Sequence, residues 1–328
     1  MLKKILVIQT ASIGDVILAT PLIEKLHLFY PDARIDVLVK NGNQGLFSNH
    51  PFINSVIIWT KNRRKKRNFL WTLYDIRKNQ YDAVINIQRF LSSGILTAFS
   101  GAKIRIGFSK NPLSCYFTSF ITHEIREGIH EVDRNLRLIE DLTDKTKARP
   151  MLYPSQNDYK KVSGYKSQVY YTISPGSIWF TKKFPVQKWI EFVSSIPKNS
   201  NILFLGSKED HEMCDKIIRL SGIQNAINLS GHLSFLESAA LMMDAKMNFT
   251  NDSAPMHLAS AVNAPVTAIF CSTIPGFGFG PLSDQSNIVE IRKKLSCRPC
   301  GLHGLKSCPK GHFKCALDIN VNQLIELL

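Results

Sequence analysis

Apolar and polar positions alternate along the chain in two similar cycles. In the first half short apolar runs, at 4 to 9, 34 to 39, 55 to 59 and 82 to 87, read as strands, and helical patterns fall between them at about 14 to 29 and 69 to 79. Strand runs that alternate with helical stretches imply parallel strands joined by helical crossovers. The stretch Lys145 to Lys166 is polar and carries Pro150, Pro154 and Gly164, so it reads as a connection. Beyond it the alternation restarts, with strands at 168 to 173, 201 to 205, 226 to 229, 246 to 250 and 265 to 270 and helices at 185 to 195, 208 to 221, 234 to 243 and 254 to 262. The expected fold class is α/β, with two Rossmann-like domains of mostly parallel sheets, residues 1–160 and 161–328, facing a central cleft. Ligands of such sheets sit beyond the carboxyl ends of the strands, so the loops there are where chemistry is expected.

Length supports this division, because 328 residues exceed the size at which one hydrophobic core keeps growing. Apolar residues make up 44% and charged residues 20%, which excludes the disordered and collagenous classes. The N-terminal apolar run, Ile5 to Ile8, is shorter than a signal-peptide core and reads as a buried strand. No segment approaches the ~20 apolar residues of a spanning helix, so the expected location is cytoplasmic, with any membrane contact peripheral.

Charge narrows the partners. Lys and Arg number 41 against 26 Asp and Glu, a net of +15, which favours phosphate-bearing or otherwise anionic partners. The densest cluster is Lys61-Asn62-Arg63-Arg64-Lys65-Lys66-Arg67. A solvated basic loop is its plain reading. Aromatic residues do not interleave with it as a single-strand stacking platform requires, and no nucleic acid is expected.

Three loops carry candidate chemistry. The first, Gln9-Thr10-Ala11-Ser12-Ile13-Gly14-Asp15, joins the first strand to the first helix, with small residues that admit a ligand to the backbone. An acid in a helix's first turn is also favoured by the helix dipole whatever its function, so Asp15 has two readings. The second is Ser174-Pro175-Gly176-Ser177-Ile178-Trp179-Phe180-Thr181-Lys182-Lys183, whose Ser and Gly suit phosphate and whose lysines would neutralise it. It lacks the spacing of a Walker loop or a dinucleotide fingerprint. The third, Asn251-Asp252-Ser253-Ala254-Pro255-Met256-His257-Leu258-Ala259, opens a helix, and free N–H groups there suit a pyrophosphate. Taken singly, Asp252 and His257 also read as a cap and a core histidine.

Together these loops resemble the bacterial ADP-heptose:lipopolysaccharide heptosyltransferases, glycosyltransferases of the GT-B fold. Its carriers are Ser12-Ile13-Gly14-Asp15, Ser174-Pro175-Gly176-Ser177 with Trp179 and Lys182, and the run Asn251 to Ala259. Arg105-Ile106-Gly107-Phe108, Leu205-Gly206-Ser207 and the cysteine-bearing tail follow in the family's order. The resemblance implies an inverting, metal-independent transfer of heptose from ADP-heptose to the inner core of a lipopolysaccharide precursor, at the cytoplasmic face of the inner membrane and with no cofactor required. Asp15 becomes the candidate general base, and Lys182 the cation that stabilises the departing diphosphate. Ser174, Gly176, Ser177, Thr181, Gly206, Asp252, Ser253, Ala254 and His257 join Lys182 in holding the donor. Ser12, Gly14, Arg63, Arg64 and Lys65 are expected on the acceptor side, where anionic Kdo sugars and lipid A phosphates would meet the basic cluster. Ala254 departs from the family's usual glycine, which restricts the backbone if that position needs a positive φ.

Two alternatives stay open at this level: a glycosyltransferase with another nucleotide-sugar or a protein acceptor, and a non-catalytic nucleotide-sugar or nucleic-acid-binding protein. Cys297, Cys300, Cys308 and Cys315 cluster in the tail with His303 and His312 between them. They read either as reduced thiols or as a structural Zn or Fe site, although six residues separate the second pair where metal knuckles have two. The resemblance covers these cysteines without making them ligands.

Overall fold

The computed structural model describes residues 2–60, 65–166 and 168–328. The chain divides into two units, Met1–Tyr153 and Pro154–Leu328. Each holds a six-stranded, wholly parallel sheet.

The strands of the first unit are β1 Lys4–Gln9, β2 Arg34–Lys40, β3 Ile53–Trp59, β4 Ala83–Asn86, β5 Ile104–Phe108 and β6 Ser119–Ile121, in the order β3-β2-β1-β4-β5-β6. Those of the second are β7 Tyr170–Ser174, β8 Asn201–Phe204, β9 Ala226–Asn228, β10 Met247–Asn251, β11 Val266–Phe270 and β12 Ser286–Glu290, in the order β12-β11-β10-β7-β8-β9. Counted from its own first strand, each sheet runs 3-2-1-4-5-6, the doubly wound order, with a switch point between its first and fourth strands. That point lies between β1 and β4 in one unit and between β7 and β10 in the other.

The central strands were readable because they are buried on both faces. Ile5 to Ile8 are fully buried, as are all five residues of β7, and such strands appear as unbroken apolar runs. Outer strands gave no such signal. β5, β6 and β12 are only three to five residues long and only partly buried, and they are absent from the expected elements.

The helices are α1 Ile13–Ile17, α2 Thr20–Phe29, α3 Lys65–Asn79, α4 Leu91–Ala98, α5 Glu131–Leu136, α6 Gln156–Val162, α7 Val186–Ser194, α8 His211–Ser221, α9 Phe235–Met243, α10 Ala254–Ala261, α11 Lys314–Leu317 and α12 Asn322–Ile325. The single helix expected over 14 to 29 is two, because Pro21 in the first turn of α2 has no N–H to continue the ladder from α1. The expected connection at 145 to 166 contains α6. Ser155 accepts the Asp158 N–H at 3.2 Å while Asp158 accepts the Ser155 N–H at 2.6 Å, a reciprocal cap that starts a helix in a polar stretch.

Beneath the second sheet Tyr171, Phe184, Trp189, Phe192, Phe204 and Phe249 pack into one core. The tail completes it. Phe313, Cys315, Ala316, Ile319, Val321 and Leu324 are buried in the same cluster, so residues after β12 are part of the second unit's interior.

Candidate active site

In the first unit the loop after β1 is stitched to its own helix. Ser12 is the N-cap of α1, and Asp15 Oδ2 accepts both the Ser12 N–H at 3.2 Å and the Ser12 hydroxyl at 2.5 Å. Gly14 is buried inside α1. Gln9 Nε2 donates to the Asp15 carbonyl at 3.3 Å. Asp15 therefore sits at the carboxyl end of β1, half-buried, with its carboxylate oriented by Ser12. Of the basic cluster, Arg63 and Arg64 lie outside the described residues, as does the side chain of Lys65, whose backbone opens α3.

In the second unit the loops after β7 and β10 meet. Asn251 ends β10, and its Nδ2 donates to the Pro175 carbonyl at 2.7 Å while its Oδ1 accepts the Phe184 N–H at 3.0 Å. Those bonds hold the β7 loop at both ends. Lys182 Nζ then lies 2.7 Å from Asp252 Oδ2, and the Thr273 hydroxyl donates to the same oxygen at 2.6 Å. Asp252 is only 4% exposed, so the pair is largely withdrawn from water, where attraction between charges is strong. Ser174 is the buried last residue of β7, Ser177 is half-buried on the same loop, and His257 is buried on α10. Ser253 is the N-cap of α10, its hydroxyl donating to the Gly176 carbonyl at 3.3 Å.

Four of the residues expected to hold the donor also have local structural roles. Thr181 is buried, with its hydroxyl accepting the Ser272 hydroxyl at 2.9 Å and the Leu305 N–H at 2.7 Å, so it anchors the tail beside Lys182. Gly176 and Gly206 both abut Asp210: a Cβ on Gly176 would come within 2.4 Å of its carboxylate, and one on Gly206 within 3.0 Å of it. Their lack of a side chain makes room for that acid, which accepts the Ser207 N–H at 2.9 Å. Ala254 is the first residue of α10 and is not among the positive-φ positions, so the backbone freedom of glycine is not needed there.

The loop reading missed Thr273, Asp210 and Arg298. Thr273 follows β11, the strand next to β10, so the same carboxyl-end rule that marked the other loops pointed to it. Arg298 donates to the Cys271 carbonyl at 2.7 Å, to the Thr273 carbonyl at 2.8 Å and to Glu290 Oε2 at 2.5 Å, which fastens the tail over the end of β11.

The cysteines of the tail are close neighbours, and Cys297, Cys300 and Cys308 all act on the Cys315 thiol. Cys300 Sγ donates to the Cys297 carbonyl at 3.1 Å, Cys308 Sγ accepts the Phe313 N–H at 3.4 Å, and Cys297 Sγ meets His312 Nε2 at 3.8 Å. Among the described residues no group of three or more His, Cys, Asp or Glu is arranged to hold a metal ion. Burial, with the neighbouring sulfurs adding to it, pushes the Cys315 thiol up to about 11.

Residues 73–304, more than half of the chain, match the model of glycosyltransferase family 9 (heptosyltransferase). The chain belongs to that family. The family expected from the three loops is the one found, and the protein is a glycosyltransferase. It is 30% identical to lipopolysaccharide heptosyltransferase 3 of Escherichia coli K12 over 79% of this chain and 80% of the relative. Among solved structures it resembles the E. coli ADP-heptose lipopolysaccharide heptosyltransferase II, with a TM-score of 0.80, 22% identity and coverage of 99% and 97% of the two chains. A family 9 glycosyltransferase from Veillonella parvula gives 0.82 at 21% identity, covering 99% and 95%. The GT-B α/β fold expected for family 9 is thus shared by this chain.

Proposed function

We propose that the chain transfers heptose from ADP-heptose to the anionic inner core of a lipopolysaccharide precursor, with inversion at the anomeric carbon and without a metal ion. Membership of family 9 supports the reaction class. The observation that carries the assignment of roles is the Lys182–Asp252 pair at the switch point of the second sheet. A donor diphosphate arriving there exchanges for Asp252 as the partner of the Lys182 ammonium, and Asp252 turns to accept hydrogen bonds from sugar hydroxyls.

The acceptor binds the first unit in this reading, and Asp15 takes the proton of its attacking hydroxyl. The acceptor oxygen forms a bond to the anomeric carbon as the bond from that carbon to the diphosphate oxygen breaks, and ADP leaves with the electron pair. Lys182 stabilises the negative charge that develops on the leaving oxygen, which supports a transfer independent of metal.

Peripheral contact with the inner membrane, from the cytoplasmic side, belongs to the same reading. Among the described residues no helix is long and apolar enough to cross a membrane. Support for surface contact comes from α3, which buries Thr72 and Ile76 but exposes Leu70, Trp71 and Tyr74, with Arg67 exposed one turn earlier. Aromatic and basic side chains on an outward helix face suit an anionic lipid interface.

The test is ADP release by purified protein given ADP-heptose, with and without Kdo-bearing lipid A and with no added metal. Acceptor-dependent release is the expected result. Release with another nucleotide-sugar but none with ADP-heptose would overturn the donor assignment.

A further inference from the structure

The first sheet has a switch point of its own, and Arg89 stands there beside the Asp15 loop. β1 and β4 are adjacent, with Ile8 opposite Asn86, so the loops that leave their carboxyl ends emerge side by side. One carries Ser12 and Asp15, the other Gln88 and Arg89. The two are tied together: Gln88 Nε2 donates to Gln9 Oε1, and Gln9 in turn donates to the Asp15 carbonyl. Asn111 Nδ2 donates to the carbonyls of Gln88 at 3.2 Å and Phe90 at 3.1 Å, so the backbone on both sides of Arg89 is pinned. Gly94 leaves room for this pin, since a Cβ there would collide with the Asn111 side chain.

The guanidinium is held from behind by a buried chain. Arg89 Nη1 lies 3.2 Å from His123 Nδ1, and because arginine only donates, Nδ1 is the acceptor and the imidazole is neutral with its proton on Nε2. That proton faces Glu131, whose oxygens lie 3.3 and 3.4 Å away. Glu131 also accepts Arg134 Nε at 2.7 Å, and Arg134 donates to the Ile129 carbonyl at 2.6 Å. His123 and Arg134 are 1% and 2% exposed. The histidine and the arginine beside it hold the Glu131 carboxyl below its ordinary range although burial alone would raise it, so it carries a negative charge matched by Arg134.

The charge on Arg89 is left over. Among the described residues no carboxylate lies within ion-pair distance of it, and its Nε and Nη2 make no hydrogen bond. It is partly exposed, in contrast to the chain that supports it. An arginine on a surface usually moves freely in water. Here a rigid imidazole and a pinned backbone fix the planar fork in advance, which lowers the ordering cost of binding an anion. A doubly wound sheet takes its ligands at this place.

We propose that Arg89 binds the anionic oxygens, carboxylate or phosphate, of the acceptor, with His123 and Glu131 as positioning residues. This rests on the reading that the first unit takes the acceptor. The test compares Arg89→Ala, Arg89→Lys and His123→Ala with wild type in the ADP-release assay, using three acceptors: the Kdo-bearing lipid A, the same with its carboxylates methyl-esterified, and the same with its phosphates removed. Arg89→Ala is expected to raise the acceptor KM roughly ten- to a hundredfold, the loss of a charge-assisted hydrogen-bond pair, with kcat and the donor KM near wild type. Arg89→Lys recovers part of this, and His123→Ala raises the same KM by less.

The penalty should vanish on the esterified acceptor if the ligand is a carboxylate, or on the dephosphorylated one if it is a phosphate. An unchanged KM in Arg89→Ala, or an equal penalty on all three acceptors, overturns the proposal. If wild type releases no ADP with any of them, the proposed function has failed, and Arg89 is judged by calorimetric titration with free Kdo and with inorganic phosphate. Binding to wild type that Arg89→Ala loses supports the role. The absence of any difference rejects it.

Discussion

Lys182 Nζ and Asp252 Oδ2 stand 2.7 Å apart, one on the loop after β7 and the other after β10, and the Thr273 hydroxyl holds the carboxylate in place. Each charge is satisfied mainly by the other, because both side chains are largely buried. Removing one leaves its partner desolvated and unmatched. Lys182→Ala is therefore expected to cost on the order of 1–3 kcal/mol of stability, less than for a fully buried pair because the lysine stem retains some exposure. The double variant with Asp252→Asn should lose less than the sum of the two, as coupled neighbours do. Turnover should fall on the order of 10²-fold with Lys182→Ala. Urea denaturation and the ADP-release rate give the two readouts, and strictly additive stability losses would show that the pair is not coupled.

Asp15 has a structural duty and a proposed chemical one, and asparagine separates them. An amide oxygen can still accept from the Ser12 N–H, as the carboxylate does now at 3.2 Å, but it cannot take a proton. Asp15→Asn should keep the fold and donor affinity while lowering kcat on the order of 10²–10⁴-fold. Donor binding by calorimetry, set beside turnover, is the check. Near-wild-type turnover in Asp15→Asn would mean that another group is the base.

A residue far along the chain bears on the same lysine. Gly304 has φ +78°, and a Cβ on it would lie 2.8 Å from Lys182 Cγ and 3.0 Å from Trp179 Cβ. Gly311 has φ +71° with nothing within 4 Å of a Cβ. Both glycine-to-alanine changes incur the left-handed backbone penalty of about 1–2 kcal/mol, and Gly304→Ala costs more because its Cβ also presses on Lys182 and Trp179. Only Gly304→Ala displaces the lysine. It should lower kcat/KM for the donor, and Gly311→Ala should not; equal activity in the two variants would disconnect the tail from the site.

How much of this was legible depends on the range of the interaction. β1 and β7 are recognisable because every residue in the apolar run is buried, and the loops that follow them carry short local motifs. The Asn251-to-Ala259 run likewise combines a strand end, a proline-bearing helix start and an acid. Arg298 and Arg89 carry no such local mark, and Thr273 is marked only by its place after β11. Thr273 matters because β11 lies beside β10, and Arg89 because His123, 34 residues later, reaches back to it. Gly176 and Gly206 show the converse. Small residues near a ligand loop invite a ligand reading, and these also make room for Asp210, a contact fixed by the turn before α8 that no local motif announces.

A last prediction concerns acid stability, and it tests packing away from the site. Lys25 is 4% exposed on α2, and its ammonium donates to the carbonyls of Asp144 and Thr146 and pairs with the Asp144 carboxylate. The lysine, with the Thr146 hydroxyl adding to it, lowers the Asp144 carboxyl from 3.8 to about 2. A carboxyl whose pKa is depressed in the folded state contributes stability that is fully present above its unfolded value and is lost as pH falls through its folded one. The wild type should therefore exceed Asp144→Asn in thermal stability by a constant margin above about pH 5, and the margin should close between roughly pH 4 and pH 2. In the variant the lysine keeps its two carbonyl partners, so the fold survives the comparison. Melting curves across pH 7 to 2 decide it: a margin that persists unchanged at pH 2 would mean that the Lys25–Asp144 charge pair contributes nothing to stability.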